Sequence, residues 1–243
     1  MFDRHFEVLL ADTAWARDVH YSLRYQVYCL DRGYEDPQSF PNRRERDGYD
    51  EGAVHFVIRS TESAEWLAAL RLIIVPLESL PMTRVCEIYK DQLPSCDEAT
   101  FAEASRLCAV TPRQKLQFAA GLTTPWMSMA LIRAARAYLL EHNIRYCFFL
   151  IADSLARVLK RVGMEFTPVG PVSTYRGKRR PYIHDVQLGY SEMPVKAPDL
   201  HNMFSNQQSY RLASQSSEHN PETKRRQPLR HRHHGTVLIT RGV

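Results

Sequence analysis

The stretch FAEASRLCAV, residues 101–110, decides the fold of this chain. It predicts a buried β-strand, because it is short and mostly apolar and is followed by Thr111-Pro112, where proline has no N–H to continue a ladder. Buried charges are costly, yet Glu103, Ser105 and Arg106 lie inside this strand. Strand side chains alternate, so Glu103 and Arg106 meet only if a β-bulge inserts a residue between them, and bulges recur beside active sites. The alternative is an ordinary strand with a structural ion pair.

The flanking segments predict an α/β domain built on one mixed sheet. Further strands are indicated at residues 5–10, 53–60, 66–75, 146–151, 165–169 and 182–189. Helices are indicated from an N-cap at Asp12-Thr13 to about Cys29, from Thr124-Pro125 to residue 142, and from Asp153-Ser154 to Gly163. The middle helix is long enough for a right-handed crossover between parallel strands. Parallel strands beside antiparallel ones leave a gap, and such gaps hold ligands in α/β sheets.

Composition indicates a soluble cytoplasmic protein without stable membrane insertion. Of the 243 residues, 44% are hydrophobic and 24% are charged. The five cysteines form neither a CxxC pair nor a Cys/His ligand spacing, which is typical of reduced thiols and predicts no metal site. The N-terminal residues lack a signal-peptide pattern, and the most apolar run, residues 66–76, is too short to span a bilayer.

The positive charge is concentrated at the C-terminal end of the chain. The whole chain carries a net charge of +5, and residues 196–243 contain eight Lys or Arg against three Asp or Glu, so the remainder is balanced. This segment is rich in Asn, Gln, Ser and His and has little apolar surface to bury. The predicted organisation is therefore one domain, residues 1–193, followed by a basic, disordered tail, residues 194–243. Nucleic acid is not expected to be a partner of the domain.

Several motifs resemble those of known acyltransferases. LRYQVYC at 23–29, ERDGYD at 45–50, LRL at 70–72 and EASR at 103–106 occur in the order found in acyl-homoserine lactone (autoinducer) synthases. The second half, with IRY at 144–146, SLAR at 154–157, Gly163 and YRGKRRPY at 175–182, is similar to PEP-CTERM/exosortase-associated acyltransferases and long-chain N-acyl amino acid synthases. The resemblance covers about residues 6–188. It implies the GNAT (acyl-CoA N-acyltransferase) fold, an α/β fold with a mixed central sheet, a bulged fourth strand and helices on both faces.

The resemblance also implies a polar acceptor cleft. Its lining is expected to be Arg24, Glu45, Asp47, Asp50, Arg71, Glu103, Ser105 and Arg106. Tyr28 and Tyr34 stand where autoinducer synthases often have Phe and Trp, which favours an acceptor other than S-adenosylmethionine. The usual glycine-rich phosphate loop is absent, because residues 113–121 contain a single glycine, and this favours acyl-carrier protein over coenzyme A as the donor.

The residue types suit acyl transfer to an amine. An ammonium must lose a proton before it can attack a thioester, and a partly desolvated carboxylate can accept that proton. Glu103 is the candidate base, with Arg106 beside it as the second catalytic candidate. Arg24, Arg71 and Arg106 can bind an acceptor carboxylate, while Glu45, Asp47 and Asp50 can hold its ammonium or orient the arginines. The structural alternative is a salt-bridge network that fixes the long loop, residues 31–50, to the sheet.

A basic surface could receive the donor. The last predicted helix is expected to bury Leu155, Val158, Leu159 and Val162 and to expose Arg157, Lys160 and Arg161. Arg176, Lys178, Arg179 and Arg180 follow in a loop. Acyl-carrier protein is acidic, so these seven residues form a candidate docking patch, and a solvated charge run is the alternative.

The sequence therefore predicts an N-acyltransferase associated with a PEP-CTERM/exosortase system. It would move a fatty acyl group from acyl-carrier protein, or acyl-CoA, to the amine of an amino acid or similar small molecule. The acyl-phosphopantetheine is a donor substrate, and no permanently bound cofactor is expected. Two alternatives stay open: an autoinducer synthase, and a non-catalytic GNAT module whose tail binds nucleic acid or another acidic surface.

Overall fold

A mixed β-sheet carries the described part of the computed structural model, residues 2–94, 100–110, 124–206 and 208–216. Its strands are β1 (Phe6–Leu10), β2 (Val54–Ser60), β3 (Trp66–Val75), β4 (Phe101–Ala109), β5 (Tyr146–Ile151), β6 (Thr167–Pro168), β7 (Ser173–Thr174), β8 (Lys178–Asp185) and β9 (Arg211–Leu212). The order is β6-β8-β5-β4-β3-β2-β1-β9, and β7 pairs with β8. The β4–β5 and β1–β9 pairs are parallel, and the other pairs are antiparallel.

Helices cover both faces of this sheet. They are α1 (Phe2–His5), α2 (Ala14–Arg24), α3 (Thr124–Glu141), α4 (Asp153–Arg161), α5 (Met193–Lys196) and α6 (Pro198–Phe204). Strand side chains alternate, so Val57 packs in the core under α2 while its neighbours Phe56 and Ile58 pack in the core under α3. The predicted fold class, an α/β fold with a mixed sheet and helices on both faces, is confirmed.

The predicted first helix consists of two parts. Thr13 caps α2 through its side-chain oxygen, which accepts a hydrogen bond from the Ala16 N–H at 3.3 Å. After Arg24 the chain continues as a π-helix, Tyr25–Asp31. Such wider turns are frequent at functional sites, and this one carries Tyr28.

A bulge and a gap meet on β4. Arg71 pairs with Ser105 and Ala69 with Cys108, so two β4 residues lie opposite the single residue Leu70. One of the two is Arg106, whose φ of +53° is uncommon for a residue with a side chain. On the other side of β4, pairing with β5 ends at Ala104. The predicted bulge and the predicted parallel crossover are therefore both present, and the strands separate next to the bulge.

The predicted boundary after residue 193 is wrong for the described residues. Leu200 and Met203 of α6 are buried in the main core, and β9 adds a parallel strand beside β1. The buried guanidinium of Arg133 donates to the carbonyl of Met203 at 3.1 Å and to that of Ser209 at 3.4 Å. A few well-placed apolar residues and hydrogen bonds thus attach a mostly polar segment, which overall composition does not reveal. The rest of the predicted tail, residues 217–243, lies outside the described residues.

Helix α4 buries a narrower stripe than its spacing predicts. Ala156 and Leu159 are buried, whereas 40% of Leu155 and 49% of Val158 are exposed. The prediction was wrong for these two residues because α4 buries little more than the line through Ala156 and Leu159.

The segment with a single glycine, residues 113–121, from which the donor was predicted, lies in the stretch 111–123, outside the described residues. Among those that are described, no helix has both the length and the hydropathy needed to cross a bilayer.

Candidate active site

Six charged side chains form a buried network between α2, the loop of residues 43–50, β3 and the bulge of β4. Its members are Arg24, Arg71, Arg106, Glu45, Asp47 and Asp50. Arg24 donates to Glu45 and, at 2.5 Å, to Asp50. Arg71 donates to Asp50 at 2.8 Å and to Asp47 at 2.7 Å. Arg106 donates to Asp47 at 3.0 Å and to Glu45 at 3.1 Å. Three guanidinium groups therefore balance three carboxylates.

The network keeps its carboxylates ionised. Burial alone would raise the pKa of Asp50, but the hydrogen bond and charge of Arg24 and the charge of Arg71 hold this pKa far below its usual value. The pKa values of Glu45 and Asp47 are also lowered, because their arginine partners outweigh the effect of burial. These three groups are therefore poor proton acceptors near neutral pH.

The network also ties the loop to the sheet, as the structural alternative supposed. The second carboxylate oxygen of Asp50 accepts a hydrogen bond from the Asp47 N–H at 2.6 Å, and Glu45 N–H donates to the carbonyl of Tyr21 at 3.2 Å. Arg24, Glu45 and Asp50 are buried behind the surface of the cleft. These three predicted lining residues support the cleft from behind, whereas Asp47, Arg71 and Arg106 reach it.

The cleft is a cavity of about 240 Å³ at the place where β4 and β5 separate. The predicted residues that line it are Tyr28, Asp47, Arg71, Glu103, Ser105, Arg106, Arg176 and Arg179. Ser105 accepts a hydrogen bond from Arg71 Nε at 3.1 Å, so its hydroxyl helps to fix the arginine. Leu150 and Ala104 line the cavity from the two separating strands. A group bound here can therefore reach both the gap and the charged network.

Glu103 lies in this cavity apart from the network. Its carboxylate accepts a hydrogen bond from the Met82 N–H at 2.8 Å, and only 5% of the residue is exposed. Burial raises the pKa of Glu103 to about 7, and the charges of Arg71 and Arg106 only partly oppose this effect. As predicted, the bulge brings Arg106 to the cavity that Glu103 also lines, but the two side chains do not pair: Arg106 donates to Glu45 and Asp47, and the described structure has no hydrogen bond between Arg106 and Glu103. Glu103 is thus free to exchange a proton near neutral pH.

The two predicted tyrosines differ in position. Tyr28 lines the cavity and donates its hydroxyl to the carbonyl of Leu107 at 3.3 Å. The guanidinium carbons of Arg106 and Arg176 each lie 5.5 Å from its ring centroid, and burial raises the pKa of Tyr28 to about 12. Tyr34 is 39% exposed and tilted against Tyr28 at 6.0 Å, outside the cavity lining. Tyr34 therefore packs against Tyr28 but does not itself line the cavity.

The predicted docking patch separates into two groups. Arg157, Lys160 and Arg161 surround a shallow surface groove of about 470 Å³ together with Lys196. Arg176 and Arg179 face the cavity instead, and Arg180 pairs with Asp153 at 3.1 Å. Lys178 is exposed on β8. The sequence could not separate these groups, because side chains of one short basic run point to both faces of a strand.

The chain is similar to known proteins in both sequence and fold. Residues 23–123 match the Acetyltransferase (GNAT) domain family. One similar structure is that of BjaI, a CoA-dependent acyl-homoserine lactone synthase solved with MTA. Its sequence is 16% identical, the TM-score is 0.59, and the alignment covers 86% of this chain and 92% of BjaI. The chain has the GNAT fold. The acyl-homoserine lactone synthase LasI (18% identity, TM-score 0.55, covering 78% of this chain and 94% of its own) has it too.

An N-acyl amino acid synthase is also similar. FeeM, from uncultured soil microbes, shares 18% identity with a TM-score of 0.54 over 81% of this chain and 97% of its own. No curated protein matches the sequence. The GNAT match and these neighbours confirm the predicted resemblance to autoinducer synthases and N-acyl amino acid synthases, and they support an acyl-transferring enzyme. They do not bear on the predicted resemblance to PEP-CTERM/exosortase-associated acyltransferases.

Six further residues line the cavity and were not predicted from the sequence. Tyr49, Pro81, Met82, Arg84, Val85 and Tyr175 also line it. Three of the six come from Pro81–Arg84, a 3₁₀ turn in a connection without a helical or strand period, and Val85 follows that turn directly. Arg84, within such a segment, gives no signal that it reaches a site. In the described part of the chain, no group of His, Cys, Asp or Glu side chains is arranged to hold a metal ion.

Asp50→Asn tests the network. The substitution removes one of the two carboxylate partners of Arg24 and of Arg71, which keep Glu45 and Asp47, and so leaves the network with one uncompensated positive charge. Breaking a buried pair costs about 3–5 kcal/mol of unfolding free energy. Because the pKa of Asp50 is lowered in the folded state, its contribution is present above the ordinary value of 3.8 and is lost as the pH falls below it. Urea unfolding should therefore show a deficit at pH 7 that shrinks in acid.

Asp18→Asn is the matched control. Asp18 pairs with Arg44 at 2.6 Å, but both side chains are partly exposed, so the loss should stay within about 1 kcal/mol. Equal losses in the two variants at pH 7, or a deficit for Asp50→Asn that is independent of pH, would contradict the stabilising role of the network.

Proposed function

We propose that the protein is an N-acyltransferase that moves a fatty acyl group from a phosphopantetheine thioester to the amine of an amino acid or similar small molecule. The observation that carries this proposal is Glu103, a buried carboxylate with a pKa of about 7 in a cavity beside the β4–β5 gap. Such a group is ionised often enough at neutral pH to accept a proton from an ammonium. The network carboxylates have lowered pKa values and are unsuited to this task.

The reaction balances with one base and one oxyanion donor. The amine nitrogen attacks the thioester carbonyl carbon, a C–N bond forms, and the ammonium proton passes to Glu103. The tetrahedral intermediate then expels the thiolate as the C–S bond breaks, and the thiolate takes up a proton. Beyond Ala104 the β4 backbone leaves its pairing with β5, so an N–H group there can stabilise the developing oxyanion.

Asp47 attracts the acceptor's ammonium. Its side chain is 30% exposed at the cavity, and its lowered pKa keeps it ionised. Arg106 and Arg71 hold it in place through hydrogen bonds of 3.0 and 2.7 Å. Arg106 is in this reading a positioning residue: it fixes Asp47 and stacks near Tyr28 but takes no proton.

Acyl-carrier protein is the proposed donor, and the exposed face of α4 is its proposed docking surface. Arg157, Lys160 and Arg161 offer positive charge to an acidic partner. Leu155 and Val158, which the helix leaves 40% and 49% exposed, add apolar surface beside these charges. Coenzyme A lacks such a protein surface, so it would gain nothing from this face.

The second candidate is an autoinducer synthase, which the motifs shared with those enzymes favour. Tyr28 and Tyr34, which stand where autoinducer synthases often have Phe and Trp, argue for a different acceptor. Incubation with acyl-carrier protein thioester and S-adenosylmethionine distinguishes the two: release of methylthioadenosine would favour the autoinducer synthase. The association with a PEP-CTERM/exosortase system rests on the resemblance of residues 144–182 and belongs to the proposal.

Glu103→Gln tests the proposed base. The amide keeps the shape but cannot accept the ammonium proton, so kcat should fall by roughly 10²–10⁴-fold, and the residual rate should rise with pH as free amine replaces the base. The pKa of Glu103 is raised in the folded state, so its ionisation opposes folding as the pH rises through about 7. The glutamine variant should therefore melt at the same or a higher temperature than the wild type at pH 8.

Glu78→Gln, at a side chain that is 69% exposed, is the control for the loss of a carboxylate. It should leave kcat and melting temperature unchanged. A Glu103→Gln variant that melts lower at pH 8 would indicate a structural ion pair, and near-normal kcat in a stable variant would remove Glu103 from the mechanism.

Charge reversal on α4 tests the docking surface. Arg157→Glu, Lys160→Glu and Arg161→Glu together should raise the KM for acyl-carrier protein while kcat changes little, since binding shared by the ground and transition states affects KM alone. Added salt should narrow the difference, because it screens charges on exposed surfaces. With acyl-CoA as the donor, KM should not change.

Arg4→Glu is the control reversal, because this exposed arginine lies on α1, beside the opposite end of the sheet. A triple variant with unchanged KM for acyl-carrier protein at low salt would exclude α4 as the docking surface. An equal rise with both donors would point to damage at the cavity instead.

A further inference from the structure

The arginines of the cavity fall into two groups. Arg71 and Arg106 are held by the network, and Arg176 pairs with Glu35. Arg84 and Arg179 also line the cavity, and in the described part of the chain neither has a carboxylate partner. Arg84 is exposed, and its guanidinium carbon lies 5.3 Å from the ring centroid of Tyr49.

Arg179 uses only part of its hydrogen-bonding capacity. Its Nε donates to the carbonyl of Arg176 and one Nη to the carbonyl of Leu150, both at 3.3 Å. Because both acceptors are neutral carbonyl oxygens, they do not compensate the positive charge of Arg179. Because a guanidinium carries five N–H groups, donors remain for an anion in the cavity.

The charge of the whole site leaves room for one anion. The network, the other charged residues that line the cavity and Glu35, the partner of Arg176, together comprise six arginines (Arg24, Arg71, Arg84, Arg106, Arg176 and Arg179) and five carboxylates (Glu35, Glu45, Asp47, Asp50 and Glu103). One positive charge is in excess, and two are in excess whenever Glu103 is protonated. An acceptor whose carboxylate offsets its own ammonium would therefore add no further positive charge to the site, whereas an amide, an ester or a simple amine would add one.

The network is a poor place for that carboxylate. An anion placed on Arg71 or Arg106 would stand beside Asp47 and compete for hydrogen bonds that already exist. Like charges in a partly desolvated site repel one another strongly. Arg24 is fully buried behind the cleft and cannot be reached. The three arginines that the sequence suggested for the acceptor carboxylate thus already have carboxylate partners.

The unpaired arginines lie where an α-amino acid would need them. Arg84 is in the same Pro81–Arg84 turn as Met82, whose N–H binds Glu103. Arg179 is bonded to Leu150 of β5, beside the gap proposed for the thioester. The amine and carboxylate of an α-amino acid are attached to one carbon, so an amine at Glu103 keeps its carboxylate nearby.

We propose that Arg84 and Arg179 bind the α-carboxylate of the acceptor, and that the acceptor is therefore a free amino acid and not an amide, an ester or a simple amine. This inference rests on the proposed acyl transfer and names the acceptor class of that same site. Arg71 and Arg106 of the network position Asp47, whereas Arg84 and Arg179 determine which class of acceptor binds.

The test compares acids with their carboxamides. Glycine, L-leucine and L-phenylalanine, and the amide of each, are measured as acceptors for acyl-carrier protein thioester and as ligands by calorimetry. Hydrogen bonds to charged groups contribute about 1.5–3 kcal/mol each, which corresponds to roughly 10- to 150-fold in affinity. The wild-type protein should therefore prefer at least one acid over its amide by a factor in that range.

Arg84→Gln and Arg179→Gln should each reduce this preference by about tenfold through KM, with kcat nearly unchanged, because each removes one charged hydrogen-bonding group. The double variant should abolish the preference. Lys90→Gln, an exposed lysine in the connection that follows Arg84, is the control and should keep the full preference.

The outcomes separate the two proposals. Equal use of acids and amides by the wild type, or a preference that survives in the double variant, overturns the carboxylate site and leaves acyl transfer standing. If no amine is acylated but calorimetry shows carboxylate-dependent binding that the two variants lose, the carboxylate site stands and the proposed function falls. Lack of acid-selective binding and of acid-selective turnover overturns the site directly.

Discussion

Arg24 forms the ion pairs on which the rest of the site depends. It is fully buried, and it can remain so only because Glu45 and Asp50 come to it from the loop of residues 43–50. Once those carboxylates are in place, they also bind Arg106 and Arg71, and this fixes the bulge of β4 against β3. The loop, the bulge and the two strands are thus held by one balanced set of charges.

This balance explains why one carboxylate behaves differently from the others. Glu45, Asp47 and Asp50 are stabilised as anions by arginines in direct contact. Glu103 has a single backbone N–H donor from Met82 and little solvent, so burial dominates its pKa. The loop produces the difference, because Glu45 and Asp47 bind the guanidinium that the bulge brings to the cavity and so leave Glu103 without an arginine in direct contact. One strand therefore carries both a fixed cation and a group that can exchange a proton near neutral pH.

The sequence predicted the parts of the site that lie on regular elements. Glu103 and Arg106 could be found because charges inside an apolar strand are conspicuous, and alternation along the strand implied the bulge. The two side chains share the cavity but do not pair, since the partners of Arg106, Glu45 and Asp47, come from a loop whose path no period describes. Arg84 lies on a 3₁₀ turn and gave no signal for the same reason. The attachment of residues 194–216 was missed because Leu200 and Met203 are too few to alter a polar composition.

The charges of the cavity link its shape to the acceptor that we propose. The network neutralises itself and serves the fold, so recognition of an acceptor falls to groups that the fold does not use. Glu103 can exchange a proton and Asp47 is ionised and reachable, while Arg84 and Arg179 have no carboxylate partner among the residues that the structure describes. The two roles differ because the arginines of the network already have carboxylate partners within the folded chain, whereas the other two can bind an acceptor.

The central claim is that Glu103 titrates near neutral pH in the folded protein. Its pKa can be measured directly by NMR, from the ¹³C shift of its labelled carboxyl carbon, with the Glu103→Gln spectrum supplying the assignment. The account predicts a midpoint at about 7 that coincides with the rise of kcat/KM with pH. A midpoint near the ordinary value of 4.5 would contradict it.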